Sequence, residues 1–280
     1  MAKASRRKES FGTKVAKLLT DLTFRRGILS IIIFIILWEV GFRFYGWFGV
    51  MIPFIGKIDA PSLVVARWSE VVLLPGYWES WYLSFGRVFF GFLVAQVVGI
   101  PFALAMAVNK YFRGMFFPPF EILRPIPPLA WVPASIIFWP TTELSIMFVT
   151  FLGAFYTIVI NVLGGARSID IQYLRAAQSM GANQWDLFRK IILPGTLPSI
   201  FIGAAVGMGI TWEVVLAAEM ISGGGQQSGG GLGFFIWSSY MGGVMDQVVV
   251  GMISIGIAGY LSSSLIRYVG YLSMPWKRMF

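Results

Sequence analysis

The sequence contains no histidine and no cysteine. Without cysteine there is no disulfide framework, no thiolate nucleophile and no thiolate metal site. Without histidine, the commonest general base and the commonest metal ligand are missing. Charge is scarce as well: 12% of the 280 residues are Asp, Glu, Lys or Arg, against about 25% in a soluble domain. These absences exclude an ordinary soluble enzyme. Catalysis by carboxylates alone would need acidic residues gathered on one face, and no such cluster is apparent.

Apolar residues make up 57% of the chain, and they are bunched. Ile28–Leu37, Val88–Val108, Ser145–Leu163, Ile200–Ala218 and Val248–Leu265 are each nearly free of charge. A run of 18 or more apolar residues reads as a membrane span, because about 20 helical residues cross about 30 Å of hydrocarbon. The expected fold is therefore all-α and polytopic, with about six transmembrane helices at about 28–46, 87–109, 117–139, 143–164, 197–221 and 246–268. The first run is preceded by a long basic stretch and followed by bulky Phe42, Phe44, Tyr45 and Trp47. It reads as a retained span and not a cleavable signal. The span at 117–139 is interrupted by Pro118, Pro119, Pro125, Pro127, Pro128 and Pro133. Irregular backbone survives at membrane depth only when packed in protein or lining a cavity.

Charge placement orients the chain. Of the basic residues between spans, only Arg43, Lys57 and Arg67 fall on one side; the other side takes the rest of the 22 Lys and Arg, apart from Arg87 and Arg124 at membrane depth. The positive-inside rule then puts both termini in the cytoplasm. The formal charge of +9 thus follows topology and argues against nucleic acid. Residues 1–27 read as a cytoplasmic basic tail. Val15, Leu18, Leu19 and Leu22 form one apolar stripe there, as in a helix lying on membrane lipid over residues 12–24. Residues 28–280 form the membrane domain. The outside segment before the second span has a stretch at Tyr77–Phe85 that is expected to be helical and to run into that span.

The largest inside loop, about 165–196, has a distinctive pattern. Leu174, Ala177 and Met180 share a helical face, Gly181 suits a turn with positive φ, and a second short helix is expected at Asn183–Ile192 with Leu187, Phe188 and Ile191 on one side. Pro194 and Pro198 lead into the next span. Such a helix pair serves either to seat a partner protein or simply to pack on its own domain.

The spacing Ala176-Ala177, three residues, Gly181, nine residues, Ile191-x-Leu193-Pro194 resembles the signature loop of ABC-importer permeases. Arg175 stands where the usual residue is Glu. Glu121-Ile-Leu-Arg-Pro-Ile-Pro-Pro-Leu-Ala-Trp-Val-Pro133, Leu193-Pro-Gly-Thr-Leu-Pro198 and Trp212 with Ala217-Ala-Glu219 look like the nitrate/sulfonate/bicarbonate branch, closest in flavour to its taurine and sulfonate members. The resemblance covers roughly residues 80–270. It implies a type I ABC importer permease in the bacterial cytoplasmic (inner) membrane, importing a small anion. It also implies a second permease copy as homodimer partner, two cytoplasmic ATPase subunits that carry ATP and Mg, and an extracellular or periplasmic solute-binding protein. Arg175, Ala176, Ala177, Gly181, Ala182, Leu187, Ile191, Leu193 and Pro194 would couple the chain to the ATPase. The chain itself has no G-x-x-x-x-G-K-[ST] phosphate loop, no metal site and no catalytic residue. The stretch Gly223–Gly233 is longer than the resemblance leads one to expect and reads as a flexible outside loop.

Charged residues at membrane depth are the pathway candidates, because they usually face protein or water. Glu121 and Arg124 share a helix face; they pair with each other, or Arg124 lends positive potential to an anion. Arg87, one turn after Ser84, is the second cationic candidate. Glu213 and Glu219 point about 120° apart on a helix. Glu219 is expected to have a structural partner, and Glu213, beside Trp212, to pair with an arginine of a neighbouring span. Gly203 and Gly207 allow close helix approach. The rival reading is a stand-alone ion-coupled carrier, which would show inverted internal repeats; none is apparent.

Overall fold

The structure is a computed structural model that describes residues 22–50, 58–222 and 230–276. The chain divides into two compact units, Met1–Ser69 and Glu70–Phe280. Most of the interfacial stripe expected at 12–24 lies outside the described residues.

The first unit carries α1 (Leu22–Phe48) and most of α2 (Pro61–Val71). Helix α1 is long and apolar enough to cross a membrane, and nearly all of its described side chains are exposed. Its one acidic residue is satisfied: Glu39 accepts from Arg43 Nε at 2.7 Å and from the Ser62 amide at 3.1 Å.

The second unit holds α3 (Pro75–Val108), α4 (Lys110–Leu123), a 3₁₀ turn at Pro128–Trp131, α5 (Val132–Phe138), α6 (Thr142–Arg167) and α7 (Ile171–Ser179). Helix α8 (Gln184–Ile221), α9 (Leu232–Met241) and α10 (Met245–Ser273) complete it. With α1, helices α3, α6, α8 and α10 are the five long enough and apolar enough to span a bilayer among the described residues. The second span thus begins at Pro75 and not at 87, and Tyr77–Phe85, expected to be helical and to run into it, is its first part.

The span expected at 117–139 is not one helix. Helix α4 continues through Pro118 and Pro119, and the break falls later, where Pro125, Pro127 and Pro128 withdraw three backbone donors in four residues. The segment still crosses the bundle. Arg87 meets Glu143, a Cβ on Gly91 would touch Thr150 at 2.9 Å, and one on Gly99 would touch Ile158 at 3.4 Å. Helices α3 and α6 therefore run parallel, and between them the chain must return from the end of α3 to the level of Arg87, about 30 Å. The core records that return. Phe120 packs in the cluster with Ala103, Met106, Val159 and Val162, whereas Val132 packs in the other cluster with Val88, Ile146 and Val149. Two short helices, about 20 Å and about 10 Å long, replace one span of about 30 Å.

The pairings of α8 with α6 and with α10 are antiparallel. A Cβ on Gly165 would lie 2.2 Å from Ser199, and one on Gly203 2.8 Å from Asn161. The close approach expected for Gly203 and Gly207 is thus made, against α6. Helix α10 lies on the other side of α8, where Gly270 faces Phe201 and Gly259 faces Trp212.

Candidate functional site

Three places combine unusual residues with defined geometry. The first is α7, which joins the parallel-running α6 to the returning α8. Asp170 caps it, accepting from the Gln172 amide at 2.9 Å. Its C-terminus closes through a pair of bonds characteristic of a Schellman turn: Ala182 N to Ala177 O at 3.0 Å and Gly181 N to Gln178 O at 2.9 Å. Gly181 sits at φ +84°, a conformation that only glycine adopts without strain. Asn183 then caps α8, accepting from the Asp186 amide at 2.8 Å.

The second short helix expected at Asn183–Ile192 is not separate. It is the start of α8, joined to the span through a π turn at Phe188–Ile192. Pro194 explains the turn: it has no N–H, and its ring would collide with the Lys190 carbonyl in a regular helix. A local widening of the helix relieves both.

The residues of this loop divide by exposure. Ala177 and Leu187 are buried, and Ala182, Ile191, Leu193 and Pro194 are half-buried. They shape the turn from within and offer little to a partner. Arg175, Ala176 and Gly181 face outward. So do Met180, 82% exposed, and Trp185, 64% exposed, with Ile171 and Tyr173 beside them. Met180 does not share the buried face of Leu174 and Ala177, because it follows the last residue of α7. Beneath α7 lies a cleft of about 880 Å³ lined by residues including Tyr173, Ala176, Lys190 and Pro194. The sequence pattern missed Trp185, whose exposure depends on where α8 begins.

The second place is at the opposite end of the bundle. Arg87 is 1% exposed and Glu219 is 0% exposed. Arg87 Nη1 donates to Glu219 Oε1 at 2.7 Å and to the Gly230 carbonyl at 2.7 Å. Its Nε donates to Glu143 Oε2 at 2.8 Å, and its Nη2 to Glu143 Oε1. Glu219 also holds the Ser84 hydroxyl, at 2.8 Å, and accepts from the Gly233 amide at 2.8 Å. Ser84 in turn accepts from Leu232 N at 2.9 Å. The knot joins α3, α6, α8 and the start of α9. A Cβ on Gly231 would lie 2.4 Å from the Glu219 carboxyl carbon, and one on Gly233 2.3 Å from the Leu216 carbonyl. The end of the glycine-rich stretch is therefore clamped; residues 223–229 lie outside the described residues. Glu143 was not foreseen, although it opens a span directly after the Thr141 cap.

Arg87 and Glu219 thus consume each other's charge in the protein interior, which corrects the picture of Arg87 as a cation presented to a solute. Trp212 is also core: it is 2% exposed, its indole N–H donates to Ser262 Oγ at 3.0 Å, and its ring meets Phe85 edge-on at 5.4 Å. Arg124 pairs with Glu121 at 3.6 Å, and both are exposed.

The third place is a groove of about 570 Å³ between α8 and α10, lined by Glu213 among others. The arginine partner expected for Glu213 is not there. Glu213 is exposed and has no hydrogen bond or ion pair among the described residues. Neighbouring spans present no arginine at its level, because Arg87 is already held by Glu143 and Glu219.

Residues 83–278 match the family described as binding-protein-dependent transport system inner membrane components. A protein of Methanocaldococcus jannaschii named as an ABC transporter permease is 38% identical over 197 residues, 70% of this chain and 72% of that protein. The nitrate import permease protein NrtB of Leptolyngbya laminosa is 33% identical over 192 residues, 69% of this chain and 67% of that protein. Among solved structures, an inward-facing conformation of the MetNI methionine ABC transporter has a chain that superposes with a TM-score of 0.52 and 24% identity. The match covers 76% of this chain and 95% of that one, and it is a likeness of fold.

Proposed function

Because the chain belongs to the family of binding-protein-dependent transport system inner membrane components, we propose that it forms the membrane pathway of an ATP-driven importer for a small solute with an anionic group. It is a transport subunit and not an enzyme. In this reading two copies form the pathway, two ATPase subunits bind ATP and Mg, and a binding protein delivers the solute from outside. The similarity to a nitrate import permease supports the class of solute.

The observation that carries the reading is α7. It is a short capped helix between two long spans, its turn is set by Gly181 at φ +84°, and it leaves Met180 and Trp185 uncovered. Exposed apolar side chains on a rigid projection mark a protein contact. The ATPase docks there, with Arg175 and Ala176 on the contact face. Basic residues Arg167, Arg175, Arg189, Lys190 and Arg267 belong to this end of the bundle, which supports its placement in the cytoplasm. The knot of buried Arg87 and Glu219 with half-buried Glu143 then braces the outer end.

Co-purification tests the assignment. The chain is co-expressed with its ATPase, and the complex is isolated through a tag on the permease. Gly181→Asp is expected to leave membrane insertion and the permease mass in detergent unchanged while the ATPase is lost. Full retention of the ATPase by Gly181→Asp defeats the assignment, and one permease copy per complex defeats the homodimer.

A further inference from the structure

The groove between α8 and α10 holds a feature that an anion pathway does not explain. Glu213 lies within the spanning helix α8, level with the middle of α6 and α10, where Gly153 faces Val214 and Gly259 faces Trp212, and it is exposed without a partner among the described residues. Along the same groove run Tyr260, Ser263 and, toward the α7 end, Arg267, which donates to Ser264 Oγ at 2.8 Å. Its walls are low. A Cβ on Gly209 or Gly256 would meet nothing within 4 Å.

Three surroundings are open to such a carboxylate: lipid, a second copy, or water. Lipid is unfavourable, because a charge at membrane depth turns to protein or water. A second copy related by a twofold axis would present the same face. Facing copies bring residues of equal depth together, so Glu213 would meet Glu213. Arg267 lies about two turns further along, judged from the pairing of Trp212 with Gly259. A dry contact would then bury two like charges without a cation between them. Water is the surrounding that solvates the carboxylate without needing a partner for it.

We infer that the α8–α10 groove is a water-filled stretch of the pathway in which Glu213 selects solutes that carry a protonated amine, so that the cargo is a zwitterion and not a bare inorganic anion. The inference rests on the importer reading. An unpaired carboxylate repels a simple anion and attracts an ammonium group that comes within about 4 Å of it, by about 1 kcal/mol in water and more beside protein. The anionic half of the same solute finds its counter-charge at Arg267, at the end of the groove where the solute would leave. Tyr260, on the opposite wall, offers a ring face to the ammonium.

The absence of cysteine from the sequence makes the test clean. Gly209→Cys, and separately Gly256→Cys, places one thiol per copy in the groove of the full permease in proteoliposomes. Two methanethiosulfonate reagents of similar size are compared, one ending in trimethylammonium and one in sulfonate, each rate divided by that for a free thiol. The cationic reagent is expected to react about tenfold faster. Glu213→Gln should abolish the preference and Glu213→Asp should keep it. Equal rates, faster reaction of the sulfonate, or a preference that survives Glu213→Gln would each overturn the inference. No reaction from water at either position would also overturn the inference, and a disulfide forming between copies at Gly209→Cys would then give the groove to a second copy. ATPase co-purification is read on the same samples: its loss in the parent protein strikes the importer reading, whereas the charge preference alone decides the role of Glu213.

Discussion

The two ends of the bundle treat their exceptional residues in opposite ways. At one end, charged side chains are taken out of water and saturated: Arg87 and Glu219 are buried, and each has several hydrogen-bond partners. At the α7 end, apolar side chains are left in the open: Met180 and Trp185 are among the more exposed large residues of the chain. A buried charge with all its partners inside the same chain has nothing left to offer a solute, so it holds helices together. An exposed apolar surface on this turn is only partly covered from within the chain, by Phe188 under Trp185, and in the proposed reading it is the surface that meets the ATPase. Residue type alone suggests the reverse assignment, with charges for function and apolar residues for structure.

That contrast is open to direct attack, most strongly at the buried end. Glu219→Ala strands Arg87 with half of its compensation and removes the acceptor for Gly233 N. Breaking a buried pair by removing one partner costs about 3–5 kcal/mol. The midpoint of thermal unfolding in detergent is expected to fall by several degrees or the protein to fail to accumulate. A Glu219→Ala protein as stable as the parent would show that the knot does not brace this end.

At the α7 end the expected pattern is inverted. Trp185→Ala removes an exposed ring that rests on Phe188 at 5.7 Å. Unfolding stability should change by no more than about 0.5 kcal/mol, as for surface sites. Affinity for the ATPase, measured by titration in detergent, should fall by about 2 kcal/mol, as at an interface anchor. A large loss of stability with unchanged ATPase affinity would erase the difference between the two ends.

The smallest effect is expected at Arg124, whose charge is neither buried nor free. The Glu121–Arg124 pair is exposed and at 3.6 Å, so Arg124→Gln should cost less than about 1 kcal/mol of stability. Labelled-anion uptake, normalised to intact complex, then isolates any contribution of Arg124 to the pathway. Unchanged uptake in an intact complex assigns it to the ion pair alone.

How much of this was legible without coordinates depends on the range of the interaction. Gly181 was readable because its demand for positive φ is local. The Glu121–Arg124 pair was readable because residues three apart on one helix always meet. The proximity of Gly203 and Gly207 to a neighbour was readable from spacing, though which helix approaches them was not. Glu143 escaped notice because its partner Arg87 is on another helix, and only the parallel register of α3 and α6 brings them together. Glu213 was assigned an arginine on the general rule that intramembrane charges pair. The rule held for Glu219, where Arg87 was spent, and left none for Glu213.

The sequence by itself determined that the chain crosses a membrane repeatedly, the location of five long apolar helices to within their ends, and where the helix-turn-helix pattern of the family lies. These follow from hydropathy, proline and glycine placement, and short-range spacing, which are properties of neighbouring residues. Only the tertiary structure decided that the proline-broken segment is two short helices and not one, that Arg87 is used up inside the protein, and that Glu213 is left without a partner among the described residues. Those outcomes depend on which helices lie side by side and in what register. A side chain's charge is fixed by its own chemistry, but whether it is spent or available is fixed by its neighbours in space.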